Sequence, residues 1–161
     1  MKKNGIRLIL LGMMIQFIFV SGCNFNGPEH KDSKLALMKE TRPAPVQLSN
    51  RPARERISGQ LRNDVLHFDS IYDVAIIEGP QQTLIAYKVR HLHRFRMGKI
   101  EKDLTASLEK RYPRQKFIVS SDYKIFLETV RLQEDMEKHK VSKKQAIKRF
   151  KKIIQLKKEL T

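Results

Sequence analysis

Ile71-Tyr72-Asp73-Val74-Ala75-Ile76-Ile77-Glu78 is followed by Gly79-Pro80-Gln81-Gln82 and then by Thr83-Leu84-Ile85-Ala86-Tyr87-Lys88-Val89. The first eight residues are rich in β-branched and aromatic types and read as a strand. Gly79-Pro80 breaks it. A second strand is expected from Thr83 to about Phe95, hairpin-paired to the first. Upstream, Ile57, Leu61 and Val65 recur every four residues among Arg and Asn, the spacing of an amphipathic helix. Downstream, Gly98 opens a helix with Ile100, Leu104, Leu108 and Tyr112 on one face, and Pro113 ends it. Lys116-Phe117-Ile118-Val119-Ser120 reads as a third strand. Ser121 or Asp122 then caps a helix carrying Ile125, Phe126, Thr129, Val130 and Met136. The order α-β-β-α-β-α predicts a small α+β domain of two layers, with helices on one side of a three-stranded sheet.

The whole chain has 161 residues and a formal charge of +16. That length suits one small domain with appendages and excludes a large enzyme body. A single cysteine, Cys23, excludes an internal disulfide and a Cys-cluster zinc site. The charge favours anionic partners such as lipid surfaces, nucleic acid or other polyanions.

The N-terminus reads as an export signal. Lys2, Lys3 and Arg7 precede an apolar run from Leu8 to Val20, shorter than the ~20 residues a membrane-spanning helix needs. The run closes on Val20-Ser21-Gly22-Cys23, which resembles the lipobox of bacterial lipoprotein signals. Small residues at Ser21 and Gly22 admit a membrane peptidase to the backbone, with cleavage between Gly22 and Cys23. The resemblance implies that the Cys23 thiol takes up a diacylglyceryl group and that Cys23 becomes the new N-terminus. Two acyl chains hold a protein stably at a bilayer where one does not. The expected organisation is a signal over residues 1–22, a lipidated flexible tether over 23–53, the α/β domain over 54–137 and a basic helix over 138–161. The tether assignment rests on Pro28, Pro43, Pro45 and Pro52 among polar residues.

The basic helix begins at Ser142-Lys143-Lys144-Gln145, a capping box, with Val141 placed to staple against Ala146. Ile147, Phe150, Ile153, Ile154 and Leu160 keep helical spacing. Ten Lys or Arg face one acid, Glu159, between Lys138 and Thr161. Such a helix packs its apolar face on its own domain, lies on an anionic membrane, or binds a polyanion. The candidate contacts are Lys143, Lys144, Lys148, Arg149, Lys151, Lys152, Lys157 and Lys158. Nucleic acid is disfavoured by the export signal, although phosphate binding requires only clustered Lys and Arg.

The lipobox, the polar tether, the hairpin ending in Ala86-Tyr87-Lys88-Val89, the helix Lys99–Arg111 and the junction Phe117-Ile118-Val119-Ser120-Ser121-Asp122 occur in that order. Together they resemble the YhcN/YlaJ family of sporulation lipoproteins over roughly residues 5–25 and 54–135. The α-β-β-α-β order is also similar to that of BON domains, which in envelope proteins are associated with phospholipid. The resemblance implies a lipid-anchored protein of endospore formers on the extracytoplasmic side of a cell or spore membrane. It further implies production during sporulation and an influence on germination, with anionic phospholipid or a spore envelope protein as partner. It supplies no catalytic residues.

Other chemistry-bearing residues are sparse. Lys88, Arg90, Arg94 and Arg96 share one parity of the second strand and would form a basic stripe if that strand ran unbroken, usable by a nucleic-acid strand together with the interleaved Phe95. His91 and His93 share the other parity; two His without a third ligand do not make a metal site. His67 and Asp69 have the same weakness. Glu134, Asp135 and Glu137 are expected as helix ion pairs, Glu134 with Lys138 and Asp135 with His139. No phosphate-binding glycine loop, nucleophile elbow or His-Glu-x-x-His pattern is present. The expectation is a non-enzymatic protein with no metal and no cofactor beyond the lipid on Cys23. An envelope hydrolase is the remaining alternative and would need His and carboxylates converging in a pocket.

Overall fold

A computed structural model describes residues 44–160. The signal, Gly22, Cys23 and the first part of the tether lie outside the described residues. The elements run in the order β1 (Val46–Gln47), a 3-10 turn (Ala53–Glu55), α1 (Ser58–Leu66), β2 (Ile71–Glu78), β3 (Thr83–Val89), a second 3-10 turn (His91–Arg96), α2 (Met97–Arg111), β4 (Phe117–Ser120), α3 (Tyr123–Glu137) and α4 (Lys143–Glu159). The sheet is mixed, in the order β1-β2-β3-β4. The central pair is antiparallel, with Ala75 opposite Ala86 and Ile76 opposite Ile85. Each outer strand runs parallel to its neighbour.

The sheet carries helices on both faces, which corrects the expected two layers to three. Ala75, Ile77, Leu84 and Ala86 pack against Ile125, Phe126 and Val130 of α3 and Ala146, Phe150, Ile153 and Ile154 of α4. On the opposite face Val74, Ile76, Ile85, Tyr87 and Val119 meet Leu61 and Val65 of α1 and Ile100, Leu104 and Leu108 of α2. The reason lies in the strands: from Val74 to Ile77 and from Leu84 to Tyr87 every residue is buried. A strand without an alternating polar side must be covered on both faces.

Three further expectations change. The sheet has a fourth strand, β1, within the segment expected to be tether. Val46 lies beside Ile77 and Gln47 beside Glu78. The next residue, Leu48, is buried, and the Leu48 and Ser49 N–H groups donate to the Glu78 carbonyl at 2.8 and 3.2 Å. The second strand of the hairpin ends at Val89 rather than near Phe95, because β2 begins at Ile71, the residue opposite Val89. Beyond that point the ladder has no neighbour, and the chain turns into the 3-10 segment. Finally, the C-terminal basic helix is part of the domain and not an appendage, since its apolar face completes one of the two cores.

Helix boundaries follow local chemistry. Asp122 Oδ1 accepts from the Lys124 and Ile125 N–H groups and caps α3. Ser142 and Gln145 form the reciprocal capping box of α4, with Gln145 Oε1 2.8 Å from the Ser142 nitrogen. α1 has no capping side chain of its own; Glu78 Oε1, from the end of β2, accepts from the Ser58 N–H at 2.8 Å instead. His139 leaves α3 in the left-handed region, at φ 52°. Gly79 is required where it stands: a Cβ there would collide with the Phe150 ring and the Gln82 carbonyl.

Because Phe150 of α4 seats on the hairpin turn, Phe150→Ala is expected to cost about 3–5 kcal/mol in urea unfolding. A chain ending at Glu137 is expected to lose its cooperative transition, as read by far-ultraviolet circular dichroism.

Candidate functional site

The cationic side chains of α4 divide into two sets. Lys143 donates to Asn50 Oδ1 at 2.6 Å, Arg149 pairs with Asp135 at 2.5 Å, and Lys157 pairs with Glu101 at 3.1 Å. These three attach the helix to the body of the domain. Lys144, Lys148, Lys151, Lys152 and Lys158 are exposed. No carboxylate among the described residues is paired with them in a salt bridge. Lys151 and Lys158 flank a shallow groove of about 270 Å³ between α4 and the β2–β3 turn, floored by Phe150 and Ile154. With its apolar face in the core, α4 offers partners a field of ammonium groups rather than an inserting face.

The basic stripe expected on the second strand is not formed. Lys88 is buried and its Nζ lies 3.1 Å from the buried Asp73 carboxylate, over the rings of Phe126 (4.8 Å) and Tyr72 (5.1 Å). Arg90 closes the strand, donating its N–H to the Ser70 carbonyl and its Nε–H to the Asp69 carbonyl, both at 2.8 Å. Arg94 and Arg96 fall in the 3-10 turn, where strand parity has no meaning. That turn instead presents bulky apolar side chains: Phe95 is 99% exposed and Leu92 88%. The sequence signal for this surface is two large apolar residues, Leu92 and Phe95, in a run of basic ones.

The other polar clusters hold elements together. Glu78 is buried and, besides capping α1, lies 3.8 Å from Arg51. Glu101, near the start of α2, accepts from the Ser121 N–H and hydroxyl and from Lys157, joining α2, the β4–α3 junction and α4. Tyr112 donates to Asp64 at 2.5 Å, and Arg111 pairs with the other oxygen of that carboxylate at 3.1 Å. Burial and that hydrogen bond push the Tyr112 hydroxyl up to about 12. Burial, with the Glu101 charge, pushes Tyr87 above the usual tyrosine range.

Among the acidic cluster, Glu134 pairs with Lys138 as expected, at 3.4 Å. Asp135 does not pair with His139; it meets Arg149 of α4, because α3 ends at Glu137 and His139 turns away in the left-handed region. The hydrogen bond from Arg149 holds the Asp135 carboxyl below the usual aspartate range, with Lys140 and Lys138 adding to the effect. His91 and His93 lie on the 3-10 turn, and His67 contacts the Asn63 carbonyl at 2.7 Å. Among the described residues no three His, Cys, Asp or Glu side chains come together as metal ligands. No protein family model, curated protein or solved structure matches this chain.

Two outcomes follow from the ion pairs. Lys88→Met removes the ammonium group from the buried Asp73 carboxylate and is expected to cost about 3–5 kcal/mol by denaturant unfolding. Adding Asp73→Leu should recover only part of this, since Asp73 Oδ1 also accepts from the Val74 N–H at 2.9 Å. For Asp135, the lowered folded value means that its contribution is complete above the unfolded value, about 3.9, and disappears as pH falls through the folded one. Asp135→Asn should therefore lower Tm at neutral pH, and the gap from the unsubstituted protein should close as pH falls below about 4.

Proposed function

We propose that this chain is a lipid-anchored sporulation lipoprotein, a non-catalytic binding or scaffolding module on the extracytoplasmic side of a cell or spore membrane, with an influence on germination. One observation carries the reading: Val20-Ser21-Gly22-Cys23 follows a basic start and a short apolar run, and Cys23 is the sole cysteine of the chain. The folded part supports it. The exposed Lys144, Lys148, Lys151, Lys152 and Lys158 form an electrostatic surface, and near anionic lipid each Lys is worth up to about 1 kcal/mol. The partner chemistry is therefore anionic phospholipid, or an acidic envelope protein.

The burial of the α4 apolar face favours one rival, a polyanion or nucleic-acid binder acting through the same lysines, because an array of ammonium groups without an inserting face recognises charge alone. Such a binder would show strong salt dependence and no preference for lipid.

The test of the anchor is metabolic labelling. The unsubstituted chain is expected to incorporate radioactive palmitate and to run as the cleaved form in the membrane fraction. Cys23→Ala should leave an unlabelled, uncleaved precursor. Label in that variant would overturn the lipobox reading.

A further inference from the structure

The described residues hold five large apolar side chains exposed to solvent: Leu92, Phe95, Met97, Tyr123 and Leu160. Three of them, Leu92, Phe95 and Met97, come from the segment that leaves the C-terminal end of β3. Tyr123 opens the helix that leaves the C-terminal end of β4. Since β3 and β4 run parallel, these four lie at one end of the sheet. A Phe at 99% exposure has no packing role within the domain. Apolar groups gathered in this way mark a surface that is covered in use.

The surroundings say by what. From Gly79 to Ile100 the chain contains no Asp or Glu, while Arg90, Arg94, Arg96 and Lys99 alternate with the apolar residues and are all exposed. Of the carboxylates on the flanking elements, Glu101 is engaged by Lys157 and Ser121 and Asp122 by the N-terminus of α3, while Asp69 and Asp103 are exposed and outnumbered by the four cations. Cations interleaved with a fully exposed aromatic and a leucine suit an anionic bilayer surface. The rings and alkyl groups enter the acyl boundary, and the Arg and Lys heads remain among the phosphates. The backbone is prepared for that environment. The 3-10 turn satisfies its own groups in part, with the His93 N–H on the Arg90 carbonyl at 2.8 Å. It is fixed to the β2 side through the Ser70 and Asp69 carbonyls and continues directly into α2.

We propose that the His91–Arg96 turn with Met97 is a membrane-insertion element. Leu92, Phe95 and Met97 enter an anionic phospholipid bilayer, and Arg90, Arg94, Arg96 and Lys99 bind its phosphates. The domain then stands on the membrane by the end of its sheet opposite the Gly79–Gln82 turn. The proposal rests on the lipid-anchored reading above but assigns the bilayer contact to this turn in place of the α4 lysines, of which Lys151 and Lys158 flank the Gly79–Gln82 turn.

The chain has no tryptophan, so Phe95→Trp would carry its sole indole, at a position where a larger ring meets no neighbour. The full lipidated chain with this substitution is reconstituted into vesicles of mixed phosphatidylglycerol and phosphatidylcholine, and into phosphatidylcholine alone. Gln81→Trp, exposed at the opposite end of the sheet, is the reference. In the mixed vesicles, Phe95→Trp emission should move to the blue. Brominated acyl chains should quench it several-fold more than Gln81→Trp. Both effects should be lost with Arg94→Glu and Arg96→Glu added. If the protein floats with the vesicles but the two indoles respond alike, insertion is overturned and anchoring stands. If the protein does not float with them, both fall. A blue shift without bromine quenching would mean that protein covers Phe95, and equal quenching in phosphatidylcholine alone would remove the anionic requirement; each overturns the proposal.

Discussion

The central hairpin has no solvent side. From Val74 to Ile77 and from Leu84 to Tyr87 consecutive side chains point alternately to opposite faces, and each is apolar and buried. Both faces must therefore be covered, and no single layer of helices can do so. α1 and α2 cover one face, α3 and α4 the other, and the rest of the architecture is arranged to deliver them. The basic C-terminal helix follows from this constraint. Without Phe150, Ile153 and Ile154, the core that α3 begins on one side of the hairpin would stay open to water.

Polar groups enter this apolar frame where elements cross. Lys88 and Asp73 stand opposite one another on the hairpin and neutralise each other within it. Glu78 uses its side chain for the N-terminus of α1 and its main-chain carbonyl for Leu48 and Ser49, so one residue joins β1, α1 and β2. Glu101 does the same for α2, the β4–α3 junction and α4. These carboxylates hold ammonium, guanidinium or N–H partners, which accounts for acids buried in so basic a chain.

What was legible in the sequence was local. The four-residue recurrence of Ile57, Leu61 and Val65, and of Ile100, Leu104 and Leu108, located two helices. The Asp122 and Ser142 caps were readable because a cap acts within three residues. What was missed depends on distant partners. β1 is two residues long between prolines and exists only because β2 pairs with it. The end of β3 is set by where β2 begins, which no local pattern encodes. The layer count is written in the unbroken apolar runs of the hairpin, not in the order of the elements. Of the candidate site, the α4 lysines were visible as charge, whereas Leu92 and Phe95 were hidden by a strand assigned six residues too long.

The brevity of β1 has a mechanical meaning. Any pull on the chain ahead of Ala44 reaches the domain through the Gln133 amide on the Ala44 carbonyl and through that strand, which faces β2 over two residue pairs and is continued by the two N–H groups on the Glu78 carbonyl. The hairpin behind it is joined over seven paired positions. Under tension the edge strand yields first and adds a few residues to the segment ahead of the hairpin, while the sheet and its helices keep their form. The domain thus has a compliant edge in front of a stiff body.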